Sequence, residues 1–98
     1  MKLRHLPDEF QKSIQAAVTI LKEAGCKEIF LFGSMLKNHI RHNSDIDIAV
    51  RGCPKGKYFH TIGKLMIELD YQVDLIDLDN NDPFSRFLEN EGEMIRIV

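Results

Sequence analysis

The sequence predicts an α/β fold, because stretches with helical apolar spacing alternate along the chain with short runs of β-forming residues, and turn residues punctuate each change. Its 98 residues suffice for one domain, expected to span 1–98, with a modest core that an attached partner would supplement. A hydrophobic content of 44% with 29% charged residues excludes a disordered or fibrous chain. Thirteen Lys and Arg against fifteen Asp and Glu argue against a sequence-independent grip on nucleic acid, which needs a basic surface. The opening MKLRHLPDEFQKS has no apolar core of a signal peptide, and no apolar run approaches the ~20 residues of a membrane span, so a cytoplasmic protein is expected.

Each element has its own signal. Phe10, Ile14, Ala17, Val18, Leu21 and Ala24 recur at helical spacing after Pro7 and Asp8, and Gly25 follows as a stop, predicting a helix over 7–24. Glu28–Phe32 (EIFLF) is apolar on both faces, as a central strand should be, and ends at Gly33. Met35, Leu36 and Ile40 predict a short helix within 34–40, followed by the polar loop RHNS. Asp45–Arg51 (DIDIAVR) alternates, with Ile46, Ile48 and Val50 toward a core and Asp45, Asp47 and Ala49 away from it. After the turn GCPKGK, residues Tyr58, Phe59, Ile62, Leu65, Met66 and Leu69 mark another helix. Val73–Leu78 (VDLIDL) reads as a third strand, Asn80–Pro83 as a helix-capping turn, Phe84–Gly92 as a last helix with its stop, and Met94–Val98 as a closing strand.

Cys26 and Cys53 form neither a C-x-x-C pair nor a Cys/His ligand spacing, so they read as small buried hydrophobes rather than a disulfide or a zinc site. His39 and His42 share a helical face without an evident third ligand, and Lys55 and Lys57 fit a solvated loop. Phe30, Phe32, Phe84 and Phe87 are expected in the core rather than as platforms for a base.

One constellation carries chemistry. Gly33 and Ser34 stand where a buried strand meets a helix, where glycine lets backbone approach a ligand closely and free N–H groups attract phosphate. Asp45 and Asp47, two apart on a strand, place their carboxylates side by side on the face away from the core. Such carboxylates repel unless a cation compensates, and Mg²⁺, which takes oxygen ligands and completes its shell with water and phosphate, is the natural one. Asp74 on the neighbouring strand supplies a third carboxylate, enough for two ions; Asp77 would project to the opposite face.

The run Gly33-Ser34, ten residues, Asp45-Ile46-Asp47, then Asp74 in a Val-Asp-Leu strand resembles the polymerase-β-type nucleotidyltransferase superfamily, most closely its minimal single-domain (MNT) members. At average residue usage four fixed residues at set spacing arise about once in 10⁵ starting points. The resemblance implies a short mixed sheet with helices packed against it. It also implies ATP as substrate, two Mg²⁺ ions held by Asp45, Asp47 and Asp74, phosphate contacts from Gly33 and Ser34, and a role for Asp74 in deprotonating the acceptor. Many minimal members read GSxARG here, so Lys37 stands where Arg is usual; it neutralises a phosphate without the bidentate fork, and Arg41 is placed to compensate.

The resemblance further implies a helical HEPN-family partner in a hetero-oligomer. In such toxin–antitoxin pairs (type VII) the MNT antitoxin transfers AMP to a tyrosine hydroxyl of the toxin. Two alternatives stay open on the sequence: transfer to a small molecule held by a separate helical subunit, and a purely steric antitoxin.

Overall fold

The structure, a computed structural model, describes residues 8–33, 46–54, 56, 58–69 and 72–97. Helix α1 (Asp8–Glu23) buries Phe10, Ile14, Ala17, Ile20 and Leu21, with Asp8 and Glu9 in its first turn and Lys22 in its last, where each charge complements the helix dipole. Ile20 joins the buried stripe that the sequence reading gave to Val18 and Ala24, both of which are half-buried. The helix ends as the sequence requires. Gly25 takes φ +97, its N–H reaches the Lys22 carbonyl and the Cys26 N–H reaches back to the Leu21 carbonyl, which satisfies two otherwise unpaired carbonyls.

Four strands form one mixed sheet: β1 (Glu28–Phe32), β2 (Ile46–Arg51), β3 (Val73–Asp77) and β4 (Met94–Arg96), in the order β3-β2-β1-β4. β1 pairs antiparallel with β2 and with β4, whereas β2 and β3 run parallel and are joined through helix α2 (Tyr58–Glu68). A parallel neighbour needs such a crossover. Helices α1 and α2 cover one face, where Ile29, Leu31, Ile46, Ile48 and Val50 are fully buried with Leu65 and Leu69 close to it.

The second face is covered by helix α3 (Pro83–Asn90), reached through a 3₁₀ turn at Leu78–Asn80. A smaller core lies there, made of Phe32, Ala49, Leu78 and Leu88 with Phe30, Ile76 and Met94 at its edge. Ala49, expected on an open face, is therefore fully buried. Leu78, predicted as the last strand residue, starts the 3₁₀ turn instead, because the Asp77 carboxylate accepts the Asp79 N–H at 3.0 Å and bends the chain.

Asp82 caps α3, accepting the Ser85 N–H at 2.7 Å, and Pro83 follows at the first helical position. The fully buried Ser85 faces the sheet and donates its hydroxyl to the Asp77 carbonyl at 3.3 Å. With Ser85 and Leu88 turned inward, an eight-residue helix cannot also bury the aromatic positions beside them. Phe84 and Phe87 are 47% and 51% exposed, which corrects the expectation that both are core.

Cys26 and Cys53 are joined by a disulfide, with Cα atoms 3.9 Å apart, which corrects their reading as independent small hydrophobes. The β1/β2 register explains the pairing: two places outward from Glu28↔Arg51, Cys26 stands opposite Cys53. Strand partners are invisible to a search for local cysteine spacing. Both cysteines also pack in or against the main core, so the packing part of the expectation holds.

Two outcomes follow. Closing a loop of sequence separation 27 restrains the unfolded chain by about 3–4 kcal/mol in the entropy model, so Cys53→Ser, or reductant added to the oxidised protein, should lower Tm by several degrees; unchanged melting would leave the bond without a stabilising role. Hydrogen bonds from Ser85 hold the Asp82 carboxyl below its ordinary pKa, so its contribution is present above about pH 4 and lost as pH falls through the lowered value. Asp82→Asn should flatten the fall of Tm between pH 5 and 2, measured by circular dichroism.

Candidate functional site

β1 delivers Gly33 beside β2. Gly33 has φ +67, a left-handed conformation in which any side chain is strained, and a Cβ there would overlap Asp47 Oδ2 and lie 3.2 Å from its Cγ. The backbone at Gly33 thus packs directly on the Asp47 carboxylate. Close approach, which the sequence suggested for a ligand, is here made to a neighbouring acid.

The parallel register sets Asp47 opposite Asp74. Adjacent strands lie about 4.8 Å apart and paired positions share a face, so both carboxylates stand on the face that also carries α3. Asp47 is half-buried beside Gly33, and Asp74 is exposed on the edge strand. Asp77 belongs to the opposite alternation, and its carboxylate is taken up by the 3₁₀ turn. Ser34, Lys37 and Asp45 lie outside the described residues, as do the short helix predicted within 34–40, His39, Arg41 and His42.

Two carboxylates in register, one held against a glycine backbone, are hard oxygen donors of the kind Mg²⁺ or Mn²⁺ takes. Among the described residues no group of three acidic, His or Cys side chains is gathered for a metal; the third predicted acid of this strand pair, Asp45, is outside them.

A cavity of about 530 Å³ opens beside Gly33, and Phe32, Phe84, Phe87, Glu91 and Glu93 line it. Phe84 stacks on Phe87 with ring centroids 6.5 Å apart and meets Phe32 edge-on at 6.1 Å. The sequence reading missed this aromatic wall. The signal was the shortness of the last helix together with Ser85 between the two phenylalanines, which leaves its inward face to smaller residues.

A mixed sheet backed by two helices, with paired acids beside a strand-end glycine, is the framework of a nucleotidyl-transferring domain. The model of the family described as "Polymerase beta, Nucleotidyltransferase" matches residues 5–96, and the chain belongs to that family. It is a nucleotidyltransferase. Among solved structures, a toxin–antitoxin complex with AMP-PNP is 28% identical with a TM-score of 0.62, covering 85% of this chain and 69% of that one. The toxin–antitoxin MntA–HepT is 27% identical with a TM-score of 0.60, covering 86% and 69%. A mutant of that pair with two Asp-to-Glu changes, two residues apart, is 26% identical with a TM-score of 0.62, covering 82% and 69%. Comparison with curated protein sequences gives no match.

Gly33→Ala should be costly on two counts, the left-handed φ and the collision with Asp47. The conformational part alone is about 1–2 kcal/mol. Denaturant unfolding should show a loss of at least that size, and a variant as stable as the wild type would mean that Asp47 moves aside freely.

Proposed function

We propose that this chain is a Mg²⁺-dependent adenylyltransferase that moves AMP from ATP to a hydroxyl of a partner protein, and that it acts as the antitoxin of a type VII toxin–antitoxin pair with a HEPN-family helical toxin. The observation that carries the reading is the register of Asp47 and Asp74 beside Gly33, in a chain of this family. The similar solved structures are toxin–antitoxin complexes, one of them with a non-hydrolysable ATP analogue, which supports both the nucleotide and the partner. Among the described residues no helix is long and apolar enough to cross a membrane.

Asp45, Asp47 and Asp74 would hold the metal, whose chemistry is to offset the triphosphate charge and favour the attacking oxygen. Gly33 leaves room at the strand end, while Ser34 and Lys37 are assigned to the phosphates. In the transfer the acceptor oxygen forms a bond to the α-phosphorus of ATP and the bond from that phosphorus to the bridging oxygen breaks. Pyrophosphate leaves, and the hydroxyl proton passes to Asp74. On a tyrosine the product adds negative charge and bulk, enough to spoil a surface that binds RNA phosphate.

The test separates catalysis from steric neutralisation. Asp47→Asn is nearly isosteric and leaves the buried Ile46, Ile48 and Val50 untouched, so fold and partner binding should persist. Transfer of label from α-labelled ATP should fall by 10²-fold or more. Calorimetry with ATP should show affinity lost in EDTA and restored by Mg²⁺ or Mn²⁺. Full protection against the toxin by the mutant, with no label incorporated, would establish steric neutralisation instead.

A further inference from the structure

Helix α2 turns Thr61, Leu65 and Leu69 into the core, yet its outward face is apolar as well. Phe59, Met66 and Ile67 are 82%, 74% and 85% exposed, and Gly63 stands in the middle of that face with nothing within 4 Å of where a Cβ would be. Two cavities flank it. One of about 450 Å³ lies between α2 and the edge strand β3, walled by Ile62, Met66, Leu69, Val73 and Leu75. The other, of about 440 Å³, has a polar rim, with His60, Lys64 and Glu68 around Gly63 and Ile67. An amphipathic helix that served only its own core would carry polar residues where Phe59, Met66 and Ile67 stand.

We propose that α2 is the docking surface for a second copy of this chain, in a twofold pair whose α2 helices cross antiparallel at Gly63. A glycine at the crossing lets the two helix backbones come close. In that arrangement Phe59, four residues before the crossing, lies over Met66 of the second copy, three residues after it, so each phenyl ring enters the apolar groove that the other copy presents beside β3. Symmetry makes this contact twice. On the other flank His60 meets Ile67 and Glu68 of the second copy, a ring N–H beside a carboxylate, while Lys64 is already paired with Glu23 of its own chain at 4.0 Å. A parallel pair would instead set Glu68 against Glu68 and Phe59 against Phe59, leaving both grooves unfilled. The exposed parts of Phe59, Met66 and Ile67 offer roughly 900 Å² to a pair, and the groove walls bring this near the ~1,200 Å² at which specific interfaces begin. The candidate carboxylates stand on the opposite face of the sheet, out of reach of anything bound at α2, so the surface suits a second copy rather than an acceptor. Both sites stay open in the pair, and the proposal does not depend on the transfer reading.

Sedimentation velocity of the full chain over about 1–300 µM should show a reversible monomer–dimer equilibrium with a Kd on the order of 10–100 µM. Phe59→Glu and Ile67→Glu, both at exposed positions, should each weaken it at least tenfold while keeping wild-type circular dichroism. Glu68→Lys should weaken it about threefold, and adding His60→Glu, which restores opposite charges across the pair, should recover that loss. Recovery separates this pairing from general stickiness. Gly63→Cys should link into a dimer under mild oxidation, whereas Gln15→Cys, on the exposed side of α1, should not. If the glutamate variants lose their fold, the charge exchange and the cross-link decide the matter. A chain that stays monomeric at about 300 µM overturns the proposal and leaves the face to a protein of another sequence. So does association that Ile67→Glu in folded form does not diminish, or the absence of a link through Gly63→Cys.

Discussion

The site depends on the parallel register of β2 and β3. Because side chains alternate, sliding β3 by one residue would carry Asp74 to the face covered by α1 and α2 and bring Val73 or Leu75 beside Asp47. The same buried residues that make the fold prohibit that slip. Val73 and Leu75 pack against the main core, Ile76 packs against the smaller core under α3, and each would be turned the wrong way. The position of an exposed carboxylate is thus set by apolar side chains that never touch it.

Placing acids on the α3 face has a structural cost that the second core offsets. That face holds Asp47 and Asp74 in register and, alongside them, the apolar cluster of Phe32, Ala49, Leu78 and Leu88. Short α3 packs Leu88 into that cluster, and the small, fully buried Ser85 lets it sit close while satisfying its own hydroxyl. Arg51 ties the far rim, paired with Glu89 on α3 and with Glu28 on β1 at 3.9 Å, and lying 6.0 Å from the Phe30 ring. Exposed pairs of this kind contribute little individually, so α3 is held chiefly by Leu88 and its cap.

Element identities were legible in the sequence because each relied on a local signal: the stripe from Phe10 to Leu21, the alternation of Ile46, Ile48 and Val50, the cap at Asp82 and Pro83. What escaped was relational. The Cys26–Cys53 bond follows from a strand register, and the burial of Ala49 follows from which face α3 chooses. The exposure of Phe84 and Phe87 follows from competition with Ser85 for one inward face. In the candidate site, Asp74 was preferred to Asp77 on alternation alone, and the observed register puts it opposite Asp47; the contact between Gly33 and that acid was not readable from composition or spacing.

The disulfide divides the site by how its parts are attached. Gly33 and Asp47 both lie inside the covalent ring closed by Cys26 and Cys53, on an antiparallel pair whose outer end is pinned. Asp74 lies outside it, on an edge strand bonded to the rest of the sheet along one side only. Local opening that frees β3 would therefore remove one carboxylate while the other stays seated on its glycine, and it would relieve their mutual repulsion in doing so. A cation shared by the two acids would act as a clasp on the sheet's edge, making the binding of metal and the closing of β3 a single thermodynamic event.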